Sequence, residues 1–191
     1  MDGTLATSGD LAIRLLRNEP ADIGALVRWR AQPHVHQWWD PDEDAPDYDE
    51  VAAKYGSLTH PSSKTTPCII ELDGRPIGYL QFYKWCSWAD AALECGIDFD
   101  DDTYGLDVLL GEPELIGRGV GSRAVALAAA YLETERAASW VSLTTEETNV
   151  RAQRAYEKAG FVKVRTVLDT DTREGERVRA WLMERRRPAE G

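Results

Sequence analysis

Three stretches of this 191-residue chain hold residue types at spacings that could do chemistry. The first is Ile116-Gly117-Arg118-Gly119-Val120-Gly121-Ser122, between a strand-like segment and a long helix. Glycines at alternate positions let backbone N–H groups turn into one concavity, and the helix N-terminus behind them adds partial positive charge, so such a nest binds phosphate. Taken alone, the same pattern is better read as an ordinary flexible turn. A Walker loop needs Gly-Lys-Ser/Thr after a four-residue gap, and a dinucleotide fingerprint needs a third glycine three positions after the second; neither fits. The second stretch is Asn149-Val-Arg-Ala-Gln-Arg-Ala-Tyr156-Glu-Lys-Ala-Gly160-Phe161. Asn149 can cap a helix whose Ala152, Ala155 and Ala159 form a small-residue face, with Tyr156 nearly in line with the cap. The third is Asp107, a carboxylate on a strand-like run ahead of the glycine loop.

Together, the loop and the Asn149–Phe161 helix resemble the GNAT superfamily of acyl-CoA-dependent N-acetyltransferases. The resemblance implies an α/β fold of the α+β type, with a central mixed, mostly antiparallel sheet flanked by helices. Acyl-CoA would lie in the splay between the fourth and fifth strands. It also implies acetyl-CoA as co-substrate, held by Val108, Leu109 and Leu110 on the strand and by Ile116, Gly117, Arg118, Gly119, Val120, Gly121 and Ser122 in the loop. On the helix that follows, the same role falls to Asn149, Ala152, Ala155, Tyr156 and Lys158. The family loop begins Gln/Arg-x-x-Gly-x-Gly/Ala; its first position here is Ile116, which cannot bind phosphate, so the backbone donors of Arg118 to Ser122 are left to do it.

Within the family, the segment His34-Val-His-Gln-Trp38-Trp39-Asp40, the run Gly74-Arg-Pro-Ile-Gly-Tyr-Leu-Gln81 and Gly105-Leu106-Asp107 look like the aminoglycoside 6′-N-acetyltransferases. That likeness implies acetyl transfer to an aminoglycoside 6′-amine, conferring antibiotic resistance, with Asp107 as general base and Tyr156 as general acid for the departing thiolate. An unperturbed carboxylate with a pKa of about 3.9 is a poor base for an amine near 9, so positioning and charge stabilisation would be its larger contribution. A polycationic acceptor wants carboxylates for its amines and aromatic faces for its rings. Trp38, Trp39 and Asp40 would form one wall, with one of the two tryptophans expected to be core. Tyr83, Trp85, Glu94, Asp100 and Asp102 would form another, with Asp107, Glu146 and Glu174 completing the acceptor set. Two departures stand out: where the resembled enzymes carry an acid before the last helix this chain has Thr144, and their late hairpin acid is best matched by Glu174. Two other readings stay open. One is a GNAT acting on another amine or hydroxylamine, such as a siderophore lysine, a polyamine or a protein N-terminus. The other is a silent acyl-CoA-binding module, against which the presence of both Asp107 and Tyr156 counts.

The charge balance is consistent with a cationic acceptor. The chain has 22 Lys+Arg against 33 Asp+Glu, a net charge of −11 and a pI near 4.8, which argues against a nucleic-acid binder. Asp40–Glu50 holds seven acids and Asp98–Asp107 five, while residues 151–191 carry a net +4. Three cysteines without a C-x-x-C pair and no long apolar run point to a reducing, cytoplasmic setting with no membrane partner. His34-x-His36 has no third ligand at useful spacing, so no metal is expected. Arg185–Arg187 reads as a solvated basic tail. Small-molecule partners only, and a monomer or homodimer, are expected.

The elements that must position these residues follow from periodicity. Strands are expected at 11–16, 68–72, 77–83, 103–110, 140–143, 161–168 and 178–183, with Asp73-Gly74 closing a hairpin. Helices are expected at 21–30, 47–58, 119–136 and 150–159, the last stopped by Gly160. Residues 1–10 read as a flexible N-terminus, 11–185 as one domain and 186–191 as a tail.

Overall fold

The computed structural model describes residues 3–39, 47–169 and 177–187. Eight strands form one sheet in the order β1-β2-β3-β4-β5-β6-β8-β7. They are β1 (Thr4–Ser8), β2 (Leu11–Leu15), β3 (Thr65–Leu72), β4 (Arg75–Lys84), β5 (Thr103–Leu110), β6 (Trp140–Glu146), β7 (Val162–Asp169) and β8 (Val178–Arg186). All neighbours pair antiparallel except β5 and β6, which run parallel. The helices are α1 (Pro20–Arg30), α2 (Pro33–His36), α3 (Tyr48–Leu58), α4 (Ala89–Glu94), α5 (Val120–Glu135) and α6 (Val150–Lys158).

Local chemistry explains the best-read elements. Asp73 and Gly74 both take positive φ, 49° and 73°, the backbone that a two-residue β3–β4 hairpin needs. Asp47 caps α3 in a capping box with Glu50. Asn149 caps α6 by accepting the Ala152 N–H at 3.1 Å, and Gly160, at φ 90°, ends it.

The N-terminus departs from expectation: residues 4–8 are β1, which turns at Gly9 (φ 62°) and pairs with β2. Thr-Leu-Ala-Thr-Ser has too few apolar residues to announce a strand, and the backbone ladder plus Leu5, packed on the core, holds it. With β1 added, the two strands that splay are numbered β5 and β6; they are the same segments read as the fourth and fifth.

Two helical layers cover the sheet. Leu80, Phe82 and Leu106 pack in one cluster with Val120, Ala124 and Val125 of α5. Tyr79, Ile69 and Leu109 pack in another with Leu26 and Trp29 of α1 and Tyr55 of α3. Side chains alternate across a strand, so Gln81 and Asp107 point to the side of α1–α3 and not of α5. A buried fork ties α1 to the sheet: Arg14 donates to both Asp22 oxygens at 2.7 and 2.8 Å and to Glu71 at 2.7 Å. Burial alone would push the Asp22 carboxyl up; hydrogen bonds from Arg14 and from the Arg17 amide outweigh it and hold it below the ordinary carboxylate range.

The Arg185–Arg187 stretch is not a free tail. Arg185 donates to both Glu133 oxygens of α5 at 2.8 and 2.9 Å and to the Ala159 carbonyl at 2.9 Å. Arg186, still in β8, pairs with Glu184 at 2.8 Å and lies over the Trp140 ring. Among the described residues no helix is long and apolar enough to cross a membrane.

Candidate active site

The site begins where the sheet comes apart. β5 and β6 pair only over Thr103–Gly105 and Trp140–Ser142, then diverge. A cavity of about 430 Å³ opens beside the unpaired end of β5, walled by Val108, Leu109 and Leu110, by the glycine loop and by α6. Of the residues assigned to acetyl-CoA from sequence, the cavity collects all but Arg118 and Val120: Ile116, Gly117, Gly119, Gly121 and Ser122 on one side, and Asn149, Ala152, Ala155, Tyr156 and Lys158 on the other.

The loop is shaped for an anion. Gly117 and Gly119 have φ of 77° and 79°, and a Cβ at either would meet nothing within 4 Å, so both backbones face open space. The α5 ladder starts with Arg123 N–H donating to the Gly119 carbonyl at 3.1 Å, so the amides of Gly119 to Ser122 are the first-turn donors that a helix does not itself use. Two expected members act differently. The Arg118 N–H donates to the Leu115 carbonyl at 3.3 Å, closing the preceding turn, and the Val120 side chain is buried in the core. Ile116 contributes an apolar wall, as its side chain must.

Tyr156 is half-buried, and loss of solvation pushes its phenol well above the ordinary range; the negative charge of Asp107 adds to the rise. The two groups are therefore within electrostatic reach of each other across the splay. Asp107 itself sits opposite Gln81 in the β4–β5 register, and its Oδ2 accepts from Gln81 Nε2–H at 2.8 Å. Tyr83 covers Gly105 on the same face, where any Cβ would collide with its ring.

Thr144, the position that lacks the expected acid, holds one through space. Gly105 pairs with Ser142, so two residues further on Asp107 and Thr144 occupy matching places on the separating strands. Thr144 Oγ1–H donates to Asp169 Oδ2 at 2.6 Å, drawing the last residue of β7 to this position. Twenty-five residues separate the two, a pairing no local spacing reveals.

The remaining acceptor candidates divide. Trp38 and Trp39, both half-buried, border the same cavity, and Trp39 also donates its Nε1–H to the Tyr55 hydroxyl at 3.1 Å. Trp85 is 7% exposed and forms a floor, its Nε1–H bonded to Ser142 Oγ at 2.7 Å, with Tyr83 edge-on against it. Asp100 and Asp102 do not line the cavity. They precede β5 by one to three residues, so Asp102 lies on the order of 17 Å from Asp107 at about 3.3 Å per residue. Asp100 Oδ1 closes its own turn by accepting the Asp102 amide and the Thr103 hydroxyl at 2.8 Å each, and Asp102 pairs with Lys84 at 3.2 Å. Glu94 is exposed on α4, while Glu146 accepts from Thr148 at 3.2 Å just before the α6 cap. Asp40 and Glu174 lie outside the described residues.

Sequence reasoning missed two polar contributions to the cavity. His34 is one: its Nε2–H donates to the Leu110 carbonyl at 2.9 Å, which binds α2 to the rim of the splay. Arg151 and Arg154 are the other; with Lys158 they repeat at helical spacing on the exposed side of α6 and line the cavity mouth, a pattern the sequence did contain.

Comparison with known proteins agrees with this geometry. A family model described as an acetyltransferase (GNAT) domain matches residues 18–168. The aminoglycoside N(6′)-acetyltransferase type 1 of Klebsiella pneumoniae is 29% identical over 168 residues, covering 88% of this chain and 83% of that one. Among solved structures, AAC(6′)-Ib in complex with ribostamycin and coenzyme A superposes with a TM-score of 0.77 at 28% identity, over 94% of each chain. The same enzyme with coenzyme A and kanamycin gives 0.74 at 28% identity, over 93% of this chain and 95% of that one.

Proposed function

The chain belongs to the acetyltransferase (GNAT) family, and from that membership we propose that it transfers the acetyl group of acetyl-CoA to the 6′-amine of aminoglycosides. The observation that carries the reading is the splay itself: one cavity joins the glycine loop, an apolar strand edge and Tyr156, whose phenol feels the charge of Asp107. The 28–29% identity to aminoglycoside 6′-acetyltransferases, sustained over most of both chains, supplies the acceptor class.

The residues fit an acyl-CoA. The first-turn amides of α5 receive the pyrophosphate, and Arg151, Arg154 and Lys158 add cationic contacts at the mouth. Val108 to Leu110 lie where β6 leaves the edge of β5 unpaired; with the Leu110 carbonyl taken by His34, the Val108 backbone and the Leu110 N–H can pair with the amide-bearing pantetheine arm as a missing strand would. Asn149 spends its side-chain oxygen on the α6 cap and has its amide N–H₂ left to donate.

At the reacting end, Asp107 takes the acceptor's ammonium and accepts its proton as the amine attacks, directly or through water. Tyr156 hydrogen-bonds the sulfur as negative charge develops there. Asp169, presented by Thr144, supplies the second carboxylate that a polyamine calls for, replacing the acid missing at position 144. Free thiols at Cys68, Cys86 and Cys95 support a cytoplasmic location.

A thiol-release assay tests the proposal. Kanamycin-type acceptors with a 6′-amine should be turned over with acetyl-CoA, and analogues with a 6′-hydroxyl should not. Asp107→Ala should lower kcat by orders of magnitude. Turnover of neither series, or preference for a hydroxylated lysine, would overturn the acceptor assignment.

A further inference from the structure

We propose that Gln81 is a positioning residue for Asp107, and that Tyr79 sets the orientation of Gln81. This rests on the reading that Asp107 receives the acceptor amine. A carboxylate has no proton to offer, so the Gln81 atom that meets Asp107 Oδ2 at 2.8 Å is the amide nitrogen. The amide is planar, so its oxygen points the other way, where it meets the Tyr79 hydroxyl at 2.7 Å; that hydroxyl is then the donor. The chain Tyr79 O–H to Gln81 to Asp107 thus has a single polarity, fixed at its far end.

That end is rigid. Tyr79 is fully buried, and its ring stands edge-on to Tyr55 at 5.1 Å and to Trp39 at 6.0 Å. Burial pushes the phenol well above its ordinary range, with smaller contributions from Tyr55, Cys68 and Asp107, so it keeps its proton. Residues 79 and 81 share a face of β4 by alternation, and Gln81 faces Asp107 directly in register. Binding Oδ2 removes free rotation of the carboxylate at the edge of the splay and sets the plane in which it meets the amine. Packing alone would be served equally by methionine at position 81.

A double-mutant cycle separates positioning from packing. Gln81→Met should lower kcat about ten-fold, as expected for loss of one hydrogen bond to a charged group. The KM for acetyl-CoA should be unchanged, since Gln81 does not line that cavity. Tyr79→Phe should lower kcat in the same direction by less. In an Asp107→Asn background, Gln81→Met should cost less than about two-fold, because the group it positions is no longer a carboxylate. A full ten-fold loss persisting in that background, or wild-type kcat in Gln81→Met alone, would overturn the proposal. Wild-type kcat in Asp107→Asn alone would overturn it differently, through the reading of Asp107 on which it rests.

Discussion

Replacing Tyr156 with phenylalanine removes one O–H and leaves the ring, so it isolates what the phenol does for the leaving sulfur. An alkyl thiol titrates near 8.5 and an ordinary phenol near 10, a gap of about 1.5 units, or roughly 2 kcal/mol. Burial and the charge of Asp107 widen that gap, because both push Tyr156 upward. Handing the proton over completely is therefore uphill, and the phenol serves better as a hydrogen-bond donor to the thiolate, with water completing the protonation. A hydrogen bond to a charged partner contributes about 1.5–3 kcal/mol. Losing it should slow the chemical step roughly ten- to hundred-fold.

The assay is single-turnover acetyl transfer at saturating acceptor, where product release cannot mask chemistry, run from pH 6 to 9.5. Because the phenol stays protonated throughout that range, both enzymes should share the shape of their pH–rate profile while differing in height. Two results would refute the reasoning. A rate within two-fold of wild type would show that Tyr156 does not reach the sulfur. An alkaline limb in the wild type near pH 9 that disappears in Tyr156→Phe would show a phenol that titrates in the working range.

Three further outcomes follow from the geometry. Gly119→Ala places a Cβ at φ 79°, costing about 1–2 kcal/mol of stability; because that Cβ enters the space before the α5 amides, the Kd for coenzyme A, measured by calorimetry, should rise at least ten-fold, and an unchanged Kd would dissociate the loop from phosphate. Asp22→Asn leaves the buried Arg14 without its fork and should lower unfolding free energy by about 3 kcal/mol at pH 7. Since the folded Asp22 carboxyl is depressed, that stabilisation is present above the unfolded value of about 3.9 and is lost as pH falls through the folded one, so urea midpoints of wild type and variant should converge below pH 4. Asp169→Asn should raise the KM for a polyamine acceptor about ten-fold with the KM for acetyl-CoA unchanged, and Thr144→Asp in that background should recover much of it; equal KM values across the three would leave Asp169 a purely structural partner of Thr144.

What could be read in advance was what local spacing encodes. Asp73-Gly74, the Asn149 cap and Gly160 each fix the backbone within a few residues of themselves, and the elements they bound fall where periodicity placed them. That the glycine loop, Asn149 and Tyr156 come together was legible for the same reason, because one loop and one helix carry most of the cavity's lining. β1 was not legible, since its five residues are held by backbone pairing and bury only part of Leu5 and Ala6. Neither was the double duty of Arg185, whose partners Glu133 and Ala159 are 52 and 26 residues away. The pairs Gln81–Asp107 and Thr144–Asp169 fail the local test, because each joins side chains from two different strands.

That assembly changes the meaning of the acidic composition. Runs of carboxylates suggested a diffuse anionic wall, yet the Asp98–Asp102 run is engaged at the far end of β5: Asp100 in its own turn, Asp102 with Lys84 and Asp98 3.9 Å from Arg165. Two carboxylates that the described residues do place beside the splay lie outside that run, Asp107 held by Gln81 and Asp169 held by Thr144. Each accepts a hydrogen bond from a neutral side chain that fixes the direction of one oxygen. A net charge of −11 concentrates a polycation near the surface, and only within about 10 Å at 0.1 M salt. Choosing one amine among several requires acids whose oxygens point, and in this fold the tethers make them point.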